Sequence, residues 1–149
     1  MAGQGGSVVV DIAVRDGTLA RLATVLSHPG DVMDRIGRYM VAATHRRFEN
    51  ERAPDGTPWL KSARAIAEGN RTLTDTGRLR GSITHTLTDG GRGVEVGTDV
   101  LYAAIHQFGG RAGRKRRAKI PARPYLGVDE RDSAAILRIV ARAIERAGT

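Results

Sequence analysis

Residues 31–52 read DVMDRIGRYMVAATHRRFENER, and residues 83–98 read ITHTLTDGGRGVEVGT. These two stretches decide the fold class. In the first, Val32, Ile36, Tyr39, Met40, Ala43 and Phe48 recur at helical spacing, and Arg35, Arg38, Arg46, Arg47 and Glu49 fall mostly on the outer face. This is the longest helix the sequence predicts, capped by Asp31 and ending near Arg52, where Pro54-Asp55-Gly56 forces a turn. In the second stretch, Ile83, His85 and Leu87 alternate with Thr84, Thr86 and Thr88. A glycine-rich turn follows, and Val94-Glu95-Val96 resumes the alternation. Two alternating runs around glycines predict a β-hairpin.

The flanks extend this pattern. Ser7 to Arg15, SVVVDIAVR, alternates with period two and predicts a strand. Thr18 to Ser27 predicts a short helix that His28-Pro29-Gly30 stops. Helical turns are expected within Ser62–Glu68, Thr76–Ser82 and Val100–Phe108, the last closed by Gly109-Gly110. Residues 111–119 have no hydrophobic period and read as a flexible loop. Ile120 to Val128 contains Pro121 and Pro124, so it is at most an edge strand. Asp129 caps a last helix with Ile136, Leu137, Val140, Ala143 and Ile144 as its apolar stripe. The expectation is an α+β fold, a small antiparallel sheet packed against a long helix and a C-terminal helix. It is one domain over residues 1–149, with 1–6 disordered and 110–119 a mobile basic loop.

Composition narrows the function classes. With 149 residues, 40% of them hydrophobic, the chain can build one modest core. It has no cysteine, which removes thiolate zinc sites, disulfides and cysteine nucleophiles. No apolar run approaches the roughly 18 residues of a membrane span, and the first residues lack a signal-peptide layout. We therefore expect a protein that stays in the cell that makes it, with no membrane contact. Aromatics are 4% of the chain, too few for the stacking platform of a single-strand binder.

The net charge of +8 is mostly one local feature. Arg111, Arg114, Lys115, Arg116, Arg117, Lys119 and Arg123 fall in one stretch without an acidic residue. Such a run repels itself and needs an acidic surface or a polyanion as counterpart. An assembly interface that orders on contact, non-specific DNA contact, and a merely solvated loop all fit this pattern.

Catalytic constellations are missing. His28, His45, His85 and His106 have no metal-spacing partners. His106, between Tyr102 and Phe108, is the least ordinary of them, and packing explains it better than catalysis. No nucleophile elbow, phosphate loop or paired carboxylates occur. No cofactor, metal or catalytic residue is expected. Trp59, the sole tryptophan, reads as a core anchor.

Three segments, taken in order, resemble the phage virion-morphogenesis, or tail-completion, family. They are Phe48–Leu60, FENERAPDGTPWL, with its D-G-x-P-W loop; Leu73–Ile83, LTDTGRLRGSI; and, from Tyr102, YAAIHQFGG, a basic stretch and IPARPYLG. The resemblance spans about residues 30 to 130. The matching positions are Trp59, Leu73, Thr74, Asp75, Gly77, Leu79, Tyr102, His106, Phe108, Gly109, Pro121, Arg123 and Pro124. The arginine density between Gly110 and Ala118 is particular to this chain. The resemblance implies a structural virion protein for tail completion or head–tail joining. Such a protein assembles as a homo-oligomeric ring, six subunits being one option, against tail, neck or connector proteins. It would be made in the host bacterial cytoplasm and end in the virion. A DNA-binding protein using the basic loop is the alternative, and a nuclease or peptidoglycan hydrolase is the enzymatic competitor.

Overall fold

The computed structural model describes residues 8–12 and 28–147. The elements in chain order are β1 (Val8–Ile12), α1 (Pro29–Asn50), α2 (Ala63–Glu68), α3 (Arg78–Gly81), β2 (Thr84–Thr88), β3 (Gly93–Thr98), α4 (Ala103–Phe108), β4 (Gly110–Ala112), β5 (Ala118–Ile120) and α5 (Glu130–Ala147). The fold is α+β with two small antiparallel sheets. The first has the order β1-β3-β2, so the hairpin β2–β3 carries β1 on its far edge. Val10 and His85 both pair with Val96. The predicted helix over 18–27 and the outer parts of the first strand lie outside the described residues.

Helix α1 lies across β2 and β3. The predicted stripe is the buried one, since Val32, Ile36, Met40, Ala43 and Phe48 are all in the core with Val94 and Val96. Each such large side chain contributes roughly 1.5–3 kcal/mol by leaving water. The start of α1 differs from expectation. Asp31 is not the cap; it lies in the first turn, and Pro29 opens the helix with no side-chain cap. Proline's missing N–H is no loss at a helix start, so Pro29-Gly30 opens this helix.

At Gly37 the helix runs close against the sheet. A Cβ there would lie 2.6 Å from His85 Cγ and 2.9 Å from His85 Cβ. The imidazole is fixed, its Nε2 being 2.7 Å from Asp34 Oδ1. That hydrogen bond and the nearby Arg38 hold the Asp34 carboxyl below its ordinary value. Gly37→Ala would gain roughly 1 kcal/mol of helix propensity, but the clash reaches the root of His85, which cannot swing away. We expect a net loss of about 1–3 kcal/mol, read as a lower urea midpoint. A more stable variant would contradict this packing.

Helix α5 returns onto α1. Its buried face is Ala135, Ile136 and Val140, with Ile139 and Ala143 partly covered. Leu137 and Ile144, expected in the stripe, are exposed. Asp129 caps α5 as predicted. Its Oδ1 accepts from the Asp132 N–H at 2.7 Å, and Asp132 Oδ2 accepts in return from the Asp129 N–H at 3.1 Å. This is a reciprocal capping box made of two aspartates.

Candidate functional site

The three segments singled out in the sequence converge in space. Trp59 is buried against Phe48, ring centroids 5.5 Å apart and edge to face. Its indole N–H donates to the Pro124 carbonyl at 2.8 Å. Tyr125, fully buried, packs at 5.2 Å against Phe48 as well, and its hydroxyl donates to the Ala103 carbonyl at 2.9 Å. One aromatic cluster thus fastens the D-G-x-P-W loop, α4 and the 121–129 segment to the end of α1.

Gln107 and Gly109 complete that fastening. The Gln107 side-chain oxygen accepts from the N–H groups of Tyr125 and Leu126, each at 3.0 Å, and its amide donates to the Leu126 carbonyl. Gly109 has φ +75°, and a Cβ on it would come within 2.8 Å of the Ala122 nitrogen. The chain crosses itself there at a spacing only glycine allows.

Beside the crossing is a cleft of about 560 Å³. Leu73, Asp75, Gly77, Leu79, Tyr102, His106 and Arg123 line it, so positions from the second and third segments share one concavity. Tyr102 meets the His106 ring edge-on at 5.8 Å. Burial lowers the His106 pKa, with Arg123 adding to the effect. His106 Nδ1 and Thr74 Oγ1 are buried with no hydrogen-bond partner among the described residues. Asp75 is largely exposed and lies 3.5 Å from Arg64. Ser62, Arg64, Thr76, Arg78 and Ile120 also line the cleft, and the sequence alone does not single them out. Ser62 and Arg64 sit in a stretch whose pattern is ambiguous, so no signal marks them.

The basic stretch is not the loop expected from sequence. Strands β4 and β5 pair antiparallel, Gly110 with Ile120 and Ala112 with Ala118, around a 3-10 turn at Arg114–Arg116. Lys115 and Arg116 adopt positive φ at its tip. Strands of three residues with both faces largely in solvent carry no hydrophobic alternation, which hides them in the sequence. Arg111, Arg114, Lys115, Arg116, Arg117 and Lys119 are all exposed on this hairpin, and none forms an ion pair among the described residues. Phe108, 68% exposed, stands at the hairpin's base, where Arg111 and Arg116 flank it across a shallow groove. Arg123 is a correction to the sequence grouping. It is buried and does not belong to the hairpin surface. Pro121 and Pro124 lie half-buried in the irregular segment after β5.

A family model for phage virion morphogenesis matches residues 10–145. The chain belongs to the phage virion morphogenesis family. The match runs from β1 into α5 and so reaches beyond the segments that carried the resemblance. This virion-morphogenesis chain is 41% identical over 119 residues to the Mu-like prophage FluMu G protein 2 of Haemophilus influenzae, covering 80% of each chain. It is 33% identical over 158 residues to the putative capsid assembly protein G of Escherichia phage Mu, covering 95% of each. No solved structure matches it. Among the described residues no group of three or more His, Asp or Glu side chains could hold a metal ion, and no helix is long and apolar enough to cross a membrane.

Proposed function

We propose that the chain is a structural subunit for tail completion or head–tail joining, packing as a ring of copies at the tail–neck junction and acting by contact, not catalysis. Its place is the virion, after assembly in the host cytoplasm. The observation that carries this reading is the basic hairpin, six exposed cations beside an exposed phenylalanine, on a chain of a virion morphogenesis family. Exposed apolar area rimmed by charge marks an interaction surface. A two-fold contact through the hairpin would set its cations against their own copies. The hairpin therefore meets a different face, which is the head-to-tail arrangement that closes into rings. The name of the phage Mu relative, a putative capsid assembly protein, agrees with an assembly role.

The test replaces Arg114, Lys115, Arg116 and Arg117 by Ser in the producing phage or prophage. The purified variant should keep its circular dichroism spectrum and thermal midpoint, since these side chains are exposed. Complete particles should fall at least tenfold. Normal particle yield with this variant would end the proposal. The same charges favour a second reading, binding to DNA. In that case duplex binding should weaken steeply with salt, and the variant should lower the slope of log K against log salt by about 0.9 for each phosphate it no longer neutralises.

A further inference from the structure

Arg123 carries a positive charge into a place where no carboxylate of the described chain answers it. Its side chain is buried, with the residue only 6% exposed. The Nε–H donates to the Leu60 carbonyl at 2.6 Å. Among the described residues the two terminal nitrogens make no hydrogen bond, and no carboxylate oxygen lies within ion-pair distance. Burial lowers the Arg123 pKa, yet an arginine stays protonated in any protein. Buried charges in folded proteins are normally paired. Among the described residues the other buried arginine, Arg47, is paired with Asp132.

Arg123 lines the 560 Å³ cleft, a volume within the range of ligand and peptide side-chain sites. The walls are mainly apolar, from Leu73, Leu79, Tyr102 and Ile120, and Arg64 and Arg78 add two more guanidinium groups. His106, also on the wall, has its buried Nδ1 without a partner among the described residues. Among the described residues Asp75 is the one carboxylate of the lining, and Arg64 lies 3.5 Å from it. The cleft is thus mainly apolar, with an arginine in its wall whose terminal nitrogens stay open to the cleft and have no carboxylate of the described chain beside them.

We propose that this cleft binds an acidic segment of a partner protein, a peptide with a carboxylate next to an apolar side chain, the carboxylate seated on the Arg123 guanidinium. A planar guanidinium matches a carboxylate with two parallel hydrogen bonds. The apolar walls take the neighbouring side chain. A DNA backbone offers phosphate but no apolar side chain to meet Leu73, Leu79, Tyr102 and Ile120. A second copy of the chain is a poor donor. Lys and Arg outnumber Asp and Glu 24 to 16, so a copy would bring a net positive charge to a wall that already holds Arg64, Arg78 and Arg123. The site meets the hairpin only at Ile120, at the base opposite the Arg114–Arg116 turn, so it stands whether or not the hairpin builds a ring.

The experiment uses the purified full chain and a fluorescein-labelled Leu-Glu-Leu-Glu-Leu peptide followed by anisotropy, with a matched peptide carrying Gln for Glu. The Glu peptide should bind at least tenfold more tightly than the Gln peptide. Arg123→Gln should abolish that preference and Arg123→Lys should keep part of it. The hairpin variant with Ser at 114–117 should bind the Glu peptide as the parent does. If Arg123→Gln fails to fold, judged by its thermal melt, Arg78→Gln on the rim should still weaken the Glu peptide several-fold. Equal binding of the two peptides, no binding of either, or loss of binding in the hairpin variant would each overturn the proposal. So would displacement of the peptide by inorganic phosphate or duplex DNA, or self-association of the chain that Arg123→Gln removes.

Discussion

Asp132→Ala is expected to cost roughly 3–5 kcal/mol, the typical loss when one partner of a buried ion pair is removed. Asp132 and Arg47 are both buried, and Arg47 Nη2 donates to Asp132 Oδ2. The same carboxylate accepts from the Tyr39 hydroxyl at 3.1 Å and from the Asp129 N–H. Arg47 Nη1 donates to the carbonyls of Tyr125 and Gly127, at 3.2 and 2.9 Å. One guanidinium thus ties the middle of the 121–129 segment and the first turn of α5 to α1. Without Asp132 the arginine charge stays buried, with Asp129 left at 3.7 Å, one-third exposed. Urea unfolding should show a lower midpoint with an unchanged slope. Asp132→Asn, which keeps an acceptor for Arg47 or Tyr39, should lose less than Asp132→Ala. A loss below about 1 kcal/mol in the alanine variant, the level of an exposed pair, would mean that the pair is open to water.

Gln107→Leu should be comparably damaging for a different reason. The leucine fills similar volume but leaves three buried backbone groups without partners: the N–H groups of Tyr125 and Leu126 and the Leu126 carbonyl. An orphaned buried group costs about 1–3 kcal/mol, so the variant should lose roughly 3 kcal/mol or more. The amide protons of Tyr125 and Leu126 should lose protection from hydrogen exchange before those of Val94 and Val96 in the sheet. The 121–129 segment also presents Arg123 to the cleft, so Glu-peptide binding should weaken as well. Retained protection at Tyr125 and Leu126 would show that other groups hold this segment. Gln107 carries no signal in the sequence, because one polar residue in a short helix looks like a surface residue until the returning chain is placed on it.

The elements readable from sequence are those whose information is local. The stripe from Val32 to Phe48, the alternation across residues 83–98 and the Asp129 cap each report a period or a neighbour a few residues away. So does the D-G-x-P-W turn that puts Trp59 into the core. The features that escape a reading of sequence are those whose partner is distant. Arg47, placed by its spacing on the outer face of α1, is buried because Asp132 is 85 residues further on. Arg123 looks like one more member of a basic run. The crossing at Gly109 and the hydrogen bond to Leu60, 63 residues away, turn it inward. The β4–β5 hairpin escapes because its pairing uses backbone groups alone, while its side chains advertise only charge.

By itself the sequence determined the α+β class, the two principal helices of the described chain, the β2–β3 hairpin and the family. Hydrophobic period, caps and turn residues act over a few positions, and the three family segments are contiguous. Only the tertiary structure decided which arginines face water and which are sealed in, and that residues 73–79, 102–106 and 120–123 enclose one cleft. A side chain's charge is written in the sequence, but its burial and its counter-charge depend on chain that arrives from dozens of residues away.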